Sequence, residues 1–355
     1  MIKKNKKIAV LGGGIRGLAI AYKLSFIYSE VHLFEKEKSF GLHQSGKNSG
    51  VLHCGLYYKP GSLKAKLAVE GIRQMISFCQ KHEINHDICG KILVASSTEE
   101  SKTLQDLAKR GKVNGLSGLK FLSPQELNKR EPCVRSGKAL LVPEEGIVDY
   151  KMVMKVLADL IKNSGGNLHI NTEIQKLKEN RNGSLNLLTG DDEMNFETVV
   201  NCTGLQADRT YTKLSEKDRP LRIIPFRGEY MTLKKPYEHM VNHLVYPVPN
   251  AKYPFLGVHF TRLINGGREV GPNAVFTFKR EGYKNTDFSL LDTWDSLSYN
   301  GLQNFIRKNF SFAMGEFMSS LSSRSFVKKA QMLIPEIEQN MITKGNAGVR
   351  AQAID

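Results

Sequence analysis

Residues 43–66 read HQSGKNSGVLHCGLYYKPGSLKAK, a run with four glycines, two histidines, one cysteine, two adjacent tyrosines and no acid. A histidine can exchange a proton near neutral pH, and His53 follows a glycine-containing turn within this run. The start of the run is too rich in glycine for a helix and too polar for a buried strand. That leaves a long loop or part of a site. His259, in PFLGVHFT (254–261), is a second candidate base. On a strand it points away from Val258 and Phe260, either into a cavity or into a core that satisfies its nitrogens. Arg227 stands inside the apolar stretch around PFRGEY, and Arg350 stands in GVRAQA. A guanidinium in such a strand needs a partner. A ligand carboxylate held bidentately is one, and an internal acid such as Glu229 is the other. Tyr57 offers packing or a hydroxyl donor, and Asn273 in GPN shapes a turn or meets a ligand. Ser45, Asn48 and Ser49 are either ligand contacts or ordinary loop polarity.

The elements that must position these residues begin at KIAVLGGGIRGLAIAYKLSFIYSEVHLFE (7–35). Ile8 to Leu11 reads as a short buried strand. Gly12, Gly14 and Gly17 then make GxGxxG. Ala21 and Leu24 share one side of the following helix, and Val31 and Leu33 alternate in a second strand that ends at Glu35. Gly12 permits the tight turn, Gly14 lets backbone approach a pyrophosphate, and Gly17 lets helix and strand pack closely. The helix N-terminus offers free N–H groups to phosphates. Glu35 can accept from ribose hydroxyls. Strand, glycines, helix, strand and acid fall in the order an adenine-dinucleotide site requires, without saying which dinucleotide.

Downstream, Ser62 to about Gln80 reads as a helix whose stripe Leu63, Leu67, Ile72, Met75, Ile76 and Cys79 is assigned to the core. GKILVAS (90–96) reads as a strand, followed by a helix over 99–110 capped by Ser97 or Thr98. SPQE (123–126) is a capping box with proline at the first helical position. A helix spans 149–163, and 167–177 is strand material. FETVVNCTG (196–204) is a second strand ending at glycine, Gly204, before a helix near Ala207. Two such junctions point to one nucleotide unit built from discontinuous segments. Segments 222–233, 243–249, 254–261 and 274–279 read as a mostly antiparallel sheet. Residues 287–330 read as helical.

Composition bounds the rest. The 355 residues suggest two domains or one interleaved α/β unit. A net charge of +16 admits an anionic membrane surface or an acidic ligand. The lysines are scattered and no nucleic-acid motif lies among them, so no nucleic-acid partner is expected. The five cysteines form no CxxC and no zinc spacing. No metal site is expected. The N-terminus has a basic start and an apolar run, but three glycines and Arg16 interrupt it, and no stretch is long enough to span a membrane.

Taken together, HQSGKNSGVLHCGLYYKPGSLKAK, GIVDY, IIPFRGEY, YPVP, PFLGVHFT, VGPNAVFTFKREGY and GVRAQAID resemble the D-amino-acid-oxidase-like class of FAD-dependent oxidoreductases. The nearer resemblance is to the L-2-hydroxyglutarate oxidase/dehydrogenase family, and it covers nearly the whole chain. It implies an α/β fold: a Rossmann-like FAD-binding domain from 1–85, 145–215 and 331–355, and a mostly antiparallel substrate domain with helices from 86–144 and 216–330. It implies oxidation of (S)-2-hydroxyglutarate, with electrons passed to quinone or oxygen. His53 is then the first choice of base and His259 the second. Arg227, Tyr57, Asn273 and Arg350 bind the dicarboxylate substrate. Gly12, Gly14, Gly17, Glu35, Lys36, Ser45, Asn48, Ser49 and Gly204 hold FAD. A covalent link between histidine and flavin is a further possibility. The implied setting is cytoplasmic, either free or peripheral on the inner face of the membrane. The family pattern continues past GVRAQAID into a strand and a helix that close the flavin site. The chain therefore reads as C-terminally incomplete, and the alternatives are a weakly flavin-binding remnant or an enzyme for another 2-hydroxy acid.

Overall fold

The computed structural model describes residues 3–190, 192–249, 257–273, 275–308 and 323–354. Its first layer is a parallel sheet in the order Thr198–Asn201, Lys4–Leu11, Tyr28–Phe34, Asn167–His169. Ile8 to Leu11 are buried on both faces, as a parallel strand between covering layers must be. On one face, Val10 and Leu33 share a core with Leu18 and Ala21 of helix Ile15–Leu24 and Val153, Leu157 and Ile161 of helix Tyr150–Asn163. On the other, Ala9, Leu11 and Phe34 meet Leu187 and Phe196. Those two belong to an antiparallel sheet of Lys176–Glu179, Leu185–Thr189 and Asp192–Phe196. The stretch 167–177 is therefore not one strand. It leaves the parallel sheet after His169 and enters the second sheet at Lys176.

The second layer is a nine-stranded sheet centred on Arg222–Leu233. That strand pairs antiparallel with Arg268–Gly271, Val275–Phe276 and, along most of its length, Ile342–Ile354. Residues 342–354, grouped from the sequence with the dinucleotide unit, thus run in this larger sheet. The order continues through His259–Arg262 and Leu244–Pro247, then crosses by a parallel pairing to Lys91–Val94, Ala139–Val142 and Lys120–Leu122. Strand 243–249 contracts to Leu244–Pro247, 254–261 starts at His259, and 274–279 contracts to Val275–Phe276. Residues 250–256, 274 and 309–322 lie outside the described residues, so parts of these expectations fall there. Within 287–330 the described helices are Leu290–Leu297, Asn300–Lys308 and Ser323–Ala330.

Local signals explain several boundaries. Ser62 accepts from the Ala65 N–H, Ser97 from Glu100, and Asp149 from Lys151 and Met152. Ser123 and Glu126 form the full capping box with Pro124 in the first turn. Helix Leu63–Lys81 keeps Ile72, Met75, Ile76 and Cys79 of the expected stripe against the core but orients its first two turns differently. Ala65, Val69, Ile72 and Cys79 are buried, while Leu63 and Leu67 are exposed. Only a slight rotation separates the two stripes, and the packing partner decides between them.

Between the two layers lies a small sheet in which Gly146–Val148 pairs with both Val51–Leu52 and His86–Asp87. The helix Leu290–Leu297 is tied by ion pairs to helix Ala207–Ser215, which follows the strand Thr198–Asn201, and to Arg219 beyond it. Arg209 meets Asp292 at 2.6 Å and Asp295 at 3.0 Å, and Arg219 meets Asp295 at 2.6 Å. Arg280 is fully buried and chelates Asp208.

Candidate active site

Two cavities meet between the layers. The larger, about 800 Å³, lies at the carboxyl end of the parallel sheet, where open α/β sheets bind ligands. Gly12 has φ +100°, and a Cβ there would stand 2.6 Å from the Cys202 carbonyl oxygen. A Cβ on Gly17 would stand 1.9 Å from the Gly12 carbonyl oxygen. Both positions need glycine for close backbone packing. Gly14 caps the first helix without any side-chain hydrogen bond of its own, and Ser45 Oγ accepts from Ile15 N at 3.0 Å. Glu35 is buried and accepts from Gly13 N at 2.7 Å and Glu37 N at 2.9 Å. It lines the cleft with lone pairs to spare. Lys36 also lines it and grips Glu281 at 2.7 Å. Gly204, at φ +56°, forms the opposite wall with Cys202 and Thr203.

Glu37, His43 and Glu281 bring ligand atoms within 4.8 Å of one another at the edge of this cleft. They are satisfied from within: His43 meets Glu37 at 2.9 Å, and Lys36 meets Glu281. Arg16, Arg209 and Lys213 line the cleft as well, and none was among the sequence candidates.

The smaller cavity, about 400 Å³, shares Gln44, Asn48 and Tyr150 with the first. His53, His259, Arg227, Asn273, Arg350 and Ser49 line it. Residues more than two hundred positions apart in sequence thus face one space. Asn48 shapes the loop, its side chain bonding the Gln44 and Ser45 carbonyls and the Gly50 N–H. Arg227 is buried with its fork on Glu229 Oε1, at 3.0 and 3.2 Å, and Nη1 on the Lys284 carbonyl. Its internal partner is therefore Glu229. Asn273 is not a simple turn residue. It accepts from Glu229 N and donates to Glu229 Oε2, both at 3.0 Å, so it holds the acid that holds the arginine. Arg350 comes from the neighbouring strand and is exposed to the cavity.

The two histidines differ. His259 is buried, stacked on Tyr246 at 3.9 Å, and its Nδ1–H donates to the Gly257 carbonyl at 2.9 Å. Burial, reinforced by the charges of His53, Lys91 and Arg350, drives its pKa down to about 3. A ring that resists protonation so strongly is a poor base at neutral pH, and it offers only an acceptor nitrogen. His53 keeps 49% of its side chain exposed, and its Nδ1 lies 3.2 Å from Glu145 Oε2. The Glu145 side chain is 1% exposed, and its other oxygen lies 2.7 Å from Nζ of Lys91, which is 0% exposed. Burial alone would raise the Glu145 carboxyl, but the charges of Lys91 and then His53 overcome it and hold it well below the usual range.

Tyr57 does not line the cavity. It is half-buried with its hydroxyl enclosed behind Lys91, whose ammonium sits 4.5 Å from its ring centroid. Burial pushes its phenol up to about 12, so its part here is packing. Glu145 and Lys91 were missed from the sequence. The signal available was Lys91 itself, a lone cation opening the otherwise apolar strand Lys91–Val94, whose residues are all buried.

The family model described as "FAD dependent oxidoreductase" matches residues 7–352. An L-2-hydroxyglutarate dehydrogenase from Indibacter alkaliphilus is 40% identical over 98% of this chain and 88% of its own length. The Escherichia coli K12 protein of the same description is 39% identical over 97% of this chain and 82% of its own length. The human mitochondrial one is 40% identical over 98% and 78%. Among solved structures, reduced L-α-glycerophosphate oxidase from Mycoplasma pneumoniae with FAD bound superposes with a TM-score of 0.80. It is 21% identical and covers 99% of this chain and 84% of that one. That likeness establishes a shared fold.

Proposed function

This chain belongs to the FAD-dependent oxidoreductase family, and on that premise we propose that it oxidises the 2-hydroxyl of L-2-hydroxyglutarate to give 2-oxoglutarate, with FAD as cofactor. The observation that carries this reading is the close likeness, along nearly the whole chain, to enzymes described as acting on that substrate.

The larger cleft fits FAD on grounds of its own. Gly12 and Gly17 sit where a Cβ would collide with backbone, and the helix N-terminus beside them carries no side-chain cap from its own first residue. With Ile15 N held by Ser45 and Gly13 N by Glu35, the other N–H groups of the first turn and a positive dipole end are left for a pyrophosphate. Gly14 and Gly204 would admit the cofactor closely, Glu35 would accept from its ribose, and Lys36, Ser45 and Asn48 would flank it, with Ser49 in the adjoining smaller cavity. When bound, FAD accepts the two electrons and the hydrogen that leave the substrate carbon.

The chain's own residues do the remainder. Arg350 and Arg227 provide positive charge for the two carboxylates, and Asn273 fixes Glu229 so that Arg227 stays in place. His53 accepts the hydroxyl proton at Nε2: the substrate O–H bond breaks, an N–H bond forms, and the ring becomes imidazolium. His259, neutral, offers a hydrogen-bond acceptor in the same wall.

Electrons leave to quinone or oxygen. The net charge of +16 favours attraction to an anionic membrane face, and no helix among the described residues is long and apolar enough to cross a membrane. Peripheral contact is the arrangement that suits quinone. Co-sedimentation with anionic vesicles, together with reoxidation rates in a soluble quinone against air, tests this part. A protein that stays in the supernatant and reoxidises only in air defeats it.

The substrate reading is tested by loading the protein with FAD and recording its flavin absorbance under anaerobic conditions. Bleaching by (S)-2-hydroxyglutarate, and not by glycerol 3-phosphate or D-amino acids, is expected. Bleaching by one of those others instead would overturn the substrate. A protein that takes up no FAD would overturn the enzyme.

A further inference from the structure

We propose that Glu145, with its charge balanced by Lys91, is a positioning residue that holds His53 with Nδ1–H inward and the Nε2 lone pair available to the cavity. The proposal rests on the reading of His53 as proton acceptor and adds the device that keeps it in the accepting form.

The placement follows from strand register. Val51 lies opposite Ile147 and Leu52 opposite Gly146 in an antiparallel pair. The next pair in that register is His53 opposite Glu145. Gly146 lets the strands close on this point, since a Cβ there would stand 2.4 Å from the Asp87 carbonyl oxygen. The Glu145 carbonyl accepts from Gly90 N at 2.8 Å, which brings the next residue, Lys91, to the same spot. The sheet therefore delivers a histidine, a carboxylate and an ammonium in a row. Only the histidine opens to solvent.

The carboxylate is bound from every side that could fix it. Oε2 meets His53 Nδ1 at 3.2 Å, and Oε1 accepts from Cys54 N at 3.3 Å and Cys54 Sγ at 3.2 Å. A carboxylate only accepts hydrogen bonds, so Nδ1 carries the proton and Nε2 carries the lone pair. Lys91 also lies over the rings of Tyr57 and Tyr246, at 4.5 and 5.3 Å. Among the described residues, the other titratable or charged groups around this row are Cys54, Tyr57 and Tyr246, with His259 and, through His259, Arg350 on the strand Ile342–Ile354.

Lys91 has a further consequence. A buried carboxylate facing a histidine alone would draw a proton onto that ring, because the pair would otherwise hold one unbalanced charge. A histidine already protonated cannot accept from a hydroxyl. With Lys91 as a permanent partner, Glu145 stays ionised without needing a proton on the His53 ring. The carboxylate then stabilises the imidazolium only as the proton arrives, the arrangement that serves a histidine base elsewhere.

Two variants push in opposite directions. Glu145→Gln removes the charge and keeps an oxygen for Nδ1–H. The acid limb of the kcat/KM–pH profile should move down by about one unit, and the plateau should fall at least about tenfold. Lys91→Met leaves the carboxylate unbalanced, and the acid limb should move up by a similar amount. NMR titration of the His53 ring in the purified protein reads the same two shifts without any turnover. It therefore stands even if the substrate assignment fails, and Glu145→Gln alone decides the matter if Lys91→Met does not fold. Midpoints and acid limbs that stay where the unaltered protein has them, with only the rate reduced, would make the pair structural and overturn the proposal.

Discussion

The two cavities are built by opposite means. In the dinucleotide cleft, backbone does the work. Glycines at 12, 14 and 17 sit within one strand-turn-helix unit, and at 12 and 17 the contacts that require glycine are to carbonyl oxygens. In the smaller cavity, side-chain charges do the work, and each is set, directly or through one intermediate, by a residue far away in sequence. Glu229 and Asn273 hold Arg227, and Glu145 and Lys91 stand behind His53. The first kind of site fails through sterics when one atom is added. The second fails through lost charge balance or geometry while the fold survives.

That contrast can be tested by substitution. The largest effect is expected at Gly17→Val, whose side chain would meet a carbonyl 1.9 Å from its first carbon. Overpacking of this kind costs about 3 kcal/mol, and flavin absorbance after loading should vanish. A variant that keeps its flavin would break the comparison. Next comes His53→Ala, expected to lower kcat/KM by roughly 10²- to 10⁴-fold while thermal stability and flavin content stay near the unaltered protein. His259→Asn should cost far less in rate, and an equal loss at the two histidines would refute their different roles. Arg350→Met follows, with KM for the dicarboxylate raised by about one to two orders of magnitude and kcat less affected. A change confined to kcat would place Arg350 elsewhere.

The smallest effects concern stability against pH, measured by denaturant unfolding. His259 has its pKa lowered from 6.5 to about 3 by burial. The unfolded chain therefore binds the proton first. This residue's favourable share is intact above pH 6.5 and is lost as pH falls towards 3. His259→Asn should flatten that slope. Asp295 is held low in the folded state: burial would raise it, and Arg219 and Arg209 more than reverse this. Its share is present above the ordinary aspartate value of 3.8 and is lost as pH falls below it. Asp295→Asn should leave a shallower acid limb, and an unchanged limb would mean the ion pairs contribute nothing measurable.

Local signals carried much of the fold. The glycine fingerprint, the capping box at Ser123 and Glu126, and the caps at Ser62, Ser97 and Asp149 are each written within a few residues, because each satisfies nearby N–H groups. The inward stripe of helix Leu63–Lys81 was less legible. Leu63 and Leu67 are as apolar as the residues that are buried, and only the neighbouring layer chooses. The pairing of Ile342–Ile354 with Arg222–Leu233 was equally illegible within the stretch 331–355, since an alternating strand does not state which sheet it joins.

The candidate site divides along the same line. His53, His259, Arg227, Asn273 and Arg350 stood out by type, as polar groups set in apolar or glycine-rich runs. Their gathering into one cavity, the withdrawal of Tyr57 behind Lys91, and the different burial of the two histidines did not. Sequence by itself determined the dinucleotide turn and the family, because these depend on residues in short, fixed spacings. Tertiary structure alone decided that His53 faces Glu145 and that Lys91 stands behind them. That arrangement arises from the register of three strands distant in the chain, and pairing register is settled only when the sheets close.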